Sequence, residues 1–145
     1  VAHARLPHAQ PRALDDHREI ASAHVAHRQE LLLRGDPVRK VEVDERLANP
    51  MGTLHGGVLC DIADAAMGMA YASTLEEGES FTTLELKINF LRPVWRARLT
   101  AEGALVQRGR TVGLAECTIA DERGRLIAKA TSTCLTLRGE QAIGR

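Results

Sequence analysis

The polar and apolar positions divide the chain into one long helix and a run of strands. Residues 1 to about 13 hold two prolines and little apolar periodicity, so they read as a loose terminus. From Asp15 to about Arg34 a rough helical stripe runs through Ile20, Ala23, His27 and Leu31. Asp15 and Asp16 can cap it, and Gly35 and Pro37 stop it. Val38 to Asp44 alternates weakly and reads as a first strand, and Asn49 to Gly52 reads as a turn. Leu54 to about Leu75 is dense in Ala, Met, Ile and Leu and predicts a long buried helix. In Phe81 to Leu91 the apolar residues Leu84, Leu86, Ile88 and Phe90 alternate with Glu85, Lys87 and Asn89, the period of a half-buried strand. Three more strands are expected at Arg96–Gln107, Thr111–Ala120 and Arg125–Leu137. The turns Arg108-Gly109-Arg110 and Asp121 to Gly124 separate them. One long helix followed by regularly spaced turns predicts an α+β domain with an antiparallel sheet against the helix. Residues 1–37 read as an extension with its own helix, and 38–145 as the domain proper.

Composition narrows the function classes. With 145 residues and 44% apolar content, one packed core is expected. Aromatics are only 3%, too few for the stacking platforms that bind single-stranded nucleic acid. Lys+Arg and Asp+Glu are both 19, so no overall basic field draws in a nucleic acid. No apolar run is long enough for a membrane helix, and the N-terminus lacks the apolar stretch of a secretory signal. Cys60, Cys117 and Cys134 are far apart and form no zinc spacing, which suits a reduced, cytoplasmic protein. His24 and His27 share a helical spacing with no third ligand type nearby, and read as solvent-facing.

The chemistry concentrates in Asn49–Ala72, "NPMGTLHGGVLCDIADAAMGMAYA". On a helical wheel Gly57, Asp61, Asp64 and Gly68 share one stripe, flanked by Ala65 and Ala72. Val58, Leu59, Ile62, Ala66, Met69 and Ala70 form the broad apolar face. The stripe is either a solvent face or a place where a ligand or a partner subunit comes close. A solvent face of this length usually carries Lys, Glu, Arg or Gln, and none occurs between His55 and Leu75. Asp61 can simply favour the positive helix end, a role that fits the deeper Asp64 less well. Gly56 and Gly57 leave helix N-terminal N–H groups unshielded, able to hold an oxyanion. A carboxylate one and a half to two turns later can serve as general base or nucleophile toward a carbonyl.

"NPMGTLHGG" followed by an aspartate nine residues after His55, with "INFLRPV", "RGRTVGLAECTIAD" and "GRLIAKATSTCLTL", resembles the hotdog-fold acyl-CoA thioesterases of the phenylacetate-degradation (PaaI) type. The resemblance spans about Val38 to Leu137, and the first 35 or so residues depart from it. It implies a hotdog fold, with a curved antiparallel sheet wrapped around the central helix. It further implies a homodimer with active sites shared between chains, and pairing of such dimers into a homotetramer. By the same resemblance Asp64 is the catalytic carboxylate and the Gly56 N–H polarises the thioester carbonyl. Asn49 and His55 position the thioester or the attacking water. A Thr at the start of the next strand orients that water: counting back from Pro93 selects Thr83, and counting forward from Asp64 selects Thr82. Gly57, Asp61 and Gly68 fall on the substrate side, with Asp61 assigned to structure or substrate fit. Arg92, Arg108 and Arg110, at strand ends and turns, are candidates for the coenzyme A phosphates. The implied activity is hydrolysis of an aryl, arylacetyl or medium-chain acyl-CoA. Coenzyme A belongs to the substrate, and no metal or other cofactor is expected. A non-catalytic acyl-CoA sensor on the same fold is the alternative, and a hotdog hydratase a third reading.

Overall fold

A computed structural model describes residues 38–143. The expected N-terminal helix, with His24 and His27, lies outside them. Strand β1 is Val38–Val43, helix α1 is Gly56–Ala72, β2 is Ser80–Phe90, β3 is Ala97–Arg108, β4 is Val112–Asp121 and β5 is Leu126–Leu137. Two short 3-10 turns, Glu45–Leu47 and Gly139–Ala142, complete the order. The five strands form one antiparallel sheet in the order β1-β3-β4-β5-β2. Helix α1 packs on one face of the sheet, chiefly on β3 and β4.

The sheet's inner face is built for close approach. Ala101, Ala115, Cys117, Ala128 and Ala130 are fully or almost fully buried beneath the helix. At Gly103 the helix backbone comes so near that a Cβ would lie 2.2 Å from the Ala66 carbonyl oxygen. Ile62, Met67, Leu99 and Ile119 fill the remaining space; full burial of a side chain of this kind stabilises by about 1.5–3 kcal/mol. Among the described residues no helix is long and apolar enough to cross a membrane.

The elements occur where the pattern places them, with two instructive shifts. The helix is shorter than the apolar run at both ends. Leu54 is taken by backbone bonds, its N–H donating to the Val94 carbonyl at 2.7 Å. At the other end Ser73 and Thr74 donate their hydroxyls to the Ala70 and Tyr71 carbonyls, capping the final turn. In β2 the regular alternation fails at Leu84, where a bulge between Thr83 and Glu85 leaves that residue outside the ladder with β5. Leu84 is 56% exposed, whereas Leu86 and Ile88 pack against the core. The bulge also shifts the phase of the strand. Thr83 lies opposite the buried Cys134, and Thr82 opposite Leu135.

Candidate active site

Asp64 sits midway along α1, half-buried on the side turned toward the start of β2. The Thr83 hydroxyl donates to Asp64 Oδ1 at 3.2 Å. Together with Ala65, Gly68, Met69, Phe81 and Thr82 these residues line a cleft of about 350 Å³. Of the two threonines, the bulge brings Thr83 onto the carboxylate, and Thr82 stays on the cleft wall. Met69 belongs to this cleft, not to the broad apolar face where the helical wheel puts it.

Gly56 opens onto a second cleft, of about 390 Å³, with Asn49, Leu59, Phe90, Arg92 and Val94 in its walls. As the first residue of α1 its N–H has no intrahelical acceptor, and none is found among the described residues. The Phe90 ring lies across this glycine, so a Cβ there would be 2.9 Å from Phe90 Cζ. Gly57 departs from expectation. Its N–H donates to His55 Nδ1 at 2.9 Å, so His55 caps the helix and that donor is occupied. Accepting through Nδ1 leaves the neutral ring's proton on Nε2, free to donate outward. Asn49 is engaged locally as well. Its Oδ1 accepts from the Met51 and Thr53 N–H groups and its Nδ2 donates to Thr53 Oγ1, which fixes the loop leading into the helix.

The remaining candidates separate. Asp61 is half-buried between the two clefts along α1, with no hydrogen bond found for it among the described residues. Arg92 is exposed and lines the Gly56 cleft. Arg108 is not a free phosphate ligand. It donates to Tyr71 Oη at 2.9 Å, to Thr136 Oγ1 and to Glu79 Oε2 at 2.9 Å, with its guanidinium over the Tyr71 ring. Arg138 holds the other Glu79 oxygen at 2.5 Å. The Glu76 N–H and these two arginines hold the Glu79 carboxyl below the usual range. Arg110 borders a cavity beside this cluster, at the far end of α1 from Gly56.

Two buried polar residues beside the site escape sequence reasoning. Ser132 and Cys134 lie buried on β5, Cys134 opposite Thr83 and Ser132 opposite Leu86, with Ser132 Oγ and Cys134 Sγ 3.6 Å apart. Burial raises the Cys134 thiol's pKa, the Asp64 charge adds to this, and the Ser132 and Thr83 hydroxyls oppose it. The signal was the inward alternation Ser132, Cys134, Thr136, polar where a core strand is usually aliphatic.

A central helix in a curled antiparallel sheet, with a cleft carboxylate and an open helix N-terminus, defines a hotdog-fold thioester hydrolase. The thioesterase superfamily model matches residues 51–128, more than half of the chain. A Saccharolobus solfataricus protein that bears an esterase name is 36% identical over 107 residues, 74% of this chain and 76% of that protein. The 1,4-dihydroxy-2-naphthoyl-CoA hydrolase of Listeria monocytogenes is 30% identical over 69% of this chain and 81% of its own. Among solved structures, a phenylacetic acid degradation-related protein of Ralstonia eutropha matches with TM-score 0.63 and 34% identity, covering 68% of this chain and 74% of that one. A thioesterase protein of Streptococcus pneumoniae, solved with coenzyme A, matches with TM-score 0.63 and 30% identity over 70% and 80%. The chain belongs to the thioesterase superfamily, as a hotdog-fold member of the PaaI type.

Proposed function

We propose that this thioesterase hydrolyses an acyl-CoA to the free acid and coenzyme A. Asp64 is its general base or nucleophile, and the Gly56 N–H holds the oxyanion. The observation that carries the reading is Asp64 itself, placed in a cleft against the Thr83 hydroxyl. In the general-base form Asp64 takes a proton from water oriented by Thr83. The hydroxide adds to the thioester carbon, the oxyanion rests on the Gly56 N–H, and the tetrahedral adduct expels the CoA thiolate. His55 and Asn49 set the geometry of the helix entrance, and Arg92, in the wall of the Gly56 cleft, is the candidate for a CoA phosphate. The coenzyme A named with the Streptococcus structure and the CoA ester named for the Listeria hydrolase support this substrate class.

The reading requires two chains. Gly56 and Asp64 are eight residues apart, so their helical rise is about 12 Å. A donor and a base acting on one carbonyl must each come within about 3 Å of the reacting atoms. One helix cannot provide both. A second copy related by a twofold axis places Gly56 of one chain opposite Asp64 of the other. The β2 edge, with exposed Leu84, Phe90 and Leu91 beside it, is the surface for that pairing.

The test is thiol release from a panel of aryl, arylacetyl and medium-chain acyl-CoAs, with Asp64→Asn alongside. Hydrolysis that disappears in the variant is the expected result. Tight CoA-ester binding with no hydrolysis of any panel member would make the chain a sensor instead.

A further inference from the structure

Phe81 and Gly68 share a wall of the Asp64 cleft. Gly68 lies one turn beyond Asp64, about 6 Å along the axis. There the Phe81 ring presses on the helix so closely that a Cβ on Gly68 would be 3.3 Å from Phe81 Cζ. Phe81 has little room to retreat. Behind it stands Tyr71, ring centroids 5.4 Å apart and tilted by 45°. Tyr71 is itself fully buried and held at every side. Its hydroxyl lies 2.8 Å from Thr136 Oγ1 and accepts from Arg108, whose guanidinium covers the ring. Gly113 lies against its other edge, where a Cβ would be 2.6 Å away. Glu79 in turn fixes Arg108 and is only 8% exposed.

We infer that Phe81, braced by the Tyr71–Arg108–Glu79 cluster and seated on Gly68, is the end wall of the acyl chamber and selects for short or single-ring acyl groups. The inference rests on the hydrolase reading above, with Asp64 at the thioester carbon. From that carbon, the space before Phe81 is roughly the length of one aromatic ring along the helix axis. Met69 supplies a polarizable thioether against a ring face or edge. An extended medium-length chain would have to displace Phe81, and with it a packed, hydrogen-bonded tyrosine. The half-buried Arg108 thus acts on substrate choice at a distance, through two packed rings, and not by binding phosphate.

Two variants push the wall in opposite directions. Phe81→Ala lengthens the chamber, and Gly68→Ala adds a methyl group in front of the ring. The measurement is kcat/KM for acetyl-, benzoyl-, hexanoyl- and decanoyl-CoA, with thermal unfolding to confirm that each variant is folded. Phe81→Ala is expected to raise the decanoyl-to-benzoyl ratio at least about tenfold, and Gly68→Ala to lower the benzoyl-to-acetyl ratio about tenfold, the scale of one methylene in a pocket. Wild-type preference for decanoyl-CoA, or ratios unmoved in the folded variants, overturns the end wall while leaving the hydrolase intact. Wild-type protein inert toward every ester overturns the hydrolase reading and the wall with it.

Discussion

Asp64 and Asp121 are both aspartates drawn out of bulk water, and their surroundings differ in kind. The Asp121 side chain is fully buried in the turn between β4 and β5. It accepts from the Arg123 and Arg125 N–H groups and from Arg125 Nε at 2.6 Å. Burial alone would raise its pKa, but the Arg125 and Arg123 bonds prevail and hold it below the usual value. Among the described residues, Asp64 shares its cleft with two hydroxyls, a thioether, an aromatic ring and small residues. A carboxylate closed in by N–H groups and a guanidinium secures a turn. A carboxylate in a cleft wall beside a hydroxyl is the one to which the proposed mechanism gives the chemistry.

This contrast breaks if the two residues respond alike. Asp64→Asn should lower kcat/KM about 10²- to 10⁴-fold, the range for a lost general base, with the melting temperature unmoved or slightly higher. Gly56→Pro comes next. Proline is accepted at the first helical position, and His55, at φ −66 and ψ 129, already has the extended backbone that precedes it. Proline removes the N–H, whereas Gly56→Ala meets the same Phe90 ring and keeps it. The proline variant should therefore fall about 10²- to 10³-fold below the alanine variant in kcat, as for a lost oxyanion donor. Thr83→Val should cost about tenfold in kcat, since one hydroxyl bond to a charged group is lost. Asp121→Asn should leave kcat/KM alone and lower the melting temperature by several degrees. Its pH dependence has a definite sign. The folded-state pKa of Asp121 is depressed, so its contribution is present above the unfolded value of about 3.8 and is lost as pH falls through the folded one. Melting curves from neutral to acid pH should therefore converge for wild type and Asp121→Asn. Curves that stay parallel would remove the assignment.

Much of this contrast was legible in the chain, and its limits have physical causes. Strand periods and turn residues locate β2 to β5 to within a residue or two, because half-buried strands must alternate and tight turns need Gly, as at Gly124 with its φ of +74. Asp64 stands out because an acid inside an apolar helix has no cheap explanation. The choice between Thr82 and Thr83 was beyond periodicity. It depends on a bulge at Leu84 that shifts the strand's phase and leaves no mark in the residue pattern. The partners of Arg108 were hidden for a similar reason. Its partners Glu79, Tyr71 and Thr136 are 28 to 37 residues away, so a turn arginine in sequence is a half-buried structural cation in space. Gly57 misled because the residue before the glycine pair, His55, turns back to cap it.

The central claim is that one active site draws on two chains, and mixing tests it most directly. Asp64→Asn and Gly56→Pro, each inactive alone, are co-refolded and thiol release is measured. If the site is shared, a mixed dimer holds one site with Gly56 from one chain and Asp64 from the other, both intact. Random pairing then returns about a quarter of wild-type activity. If Gly56 and Asp64 of the same chain act together, every site in the mixture lacks one group. Mixed dimers with no regained activity would contradict the account.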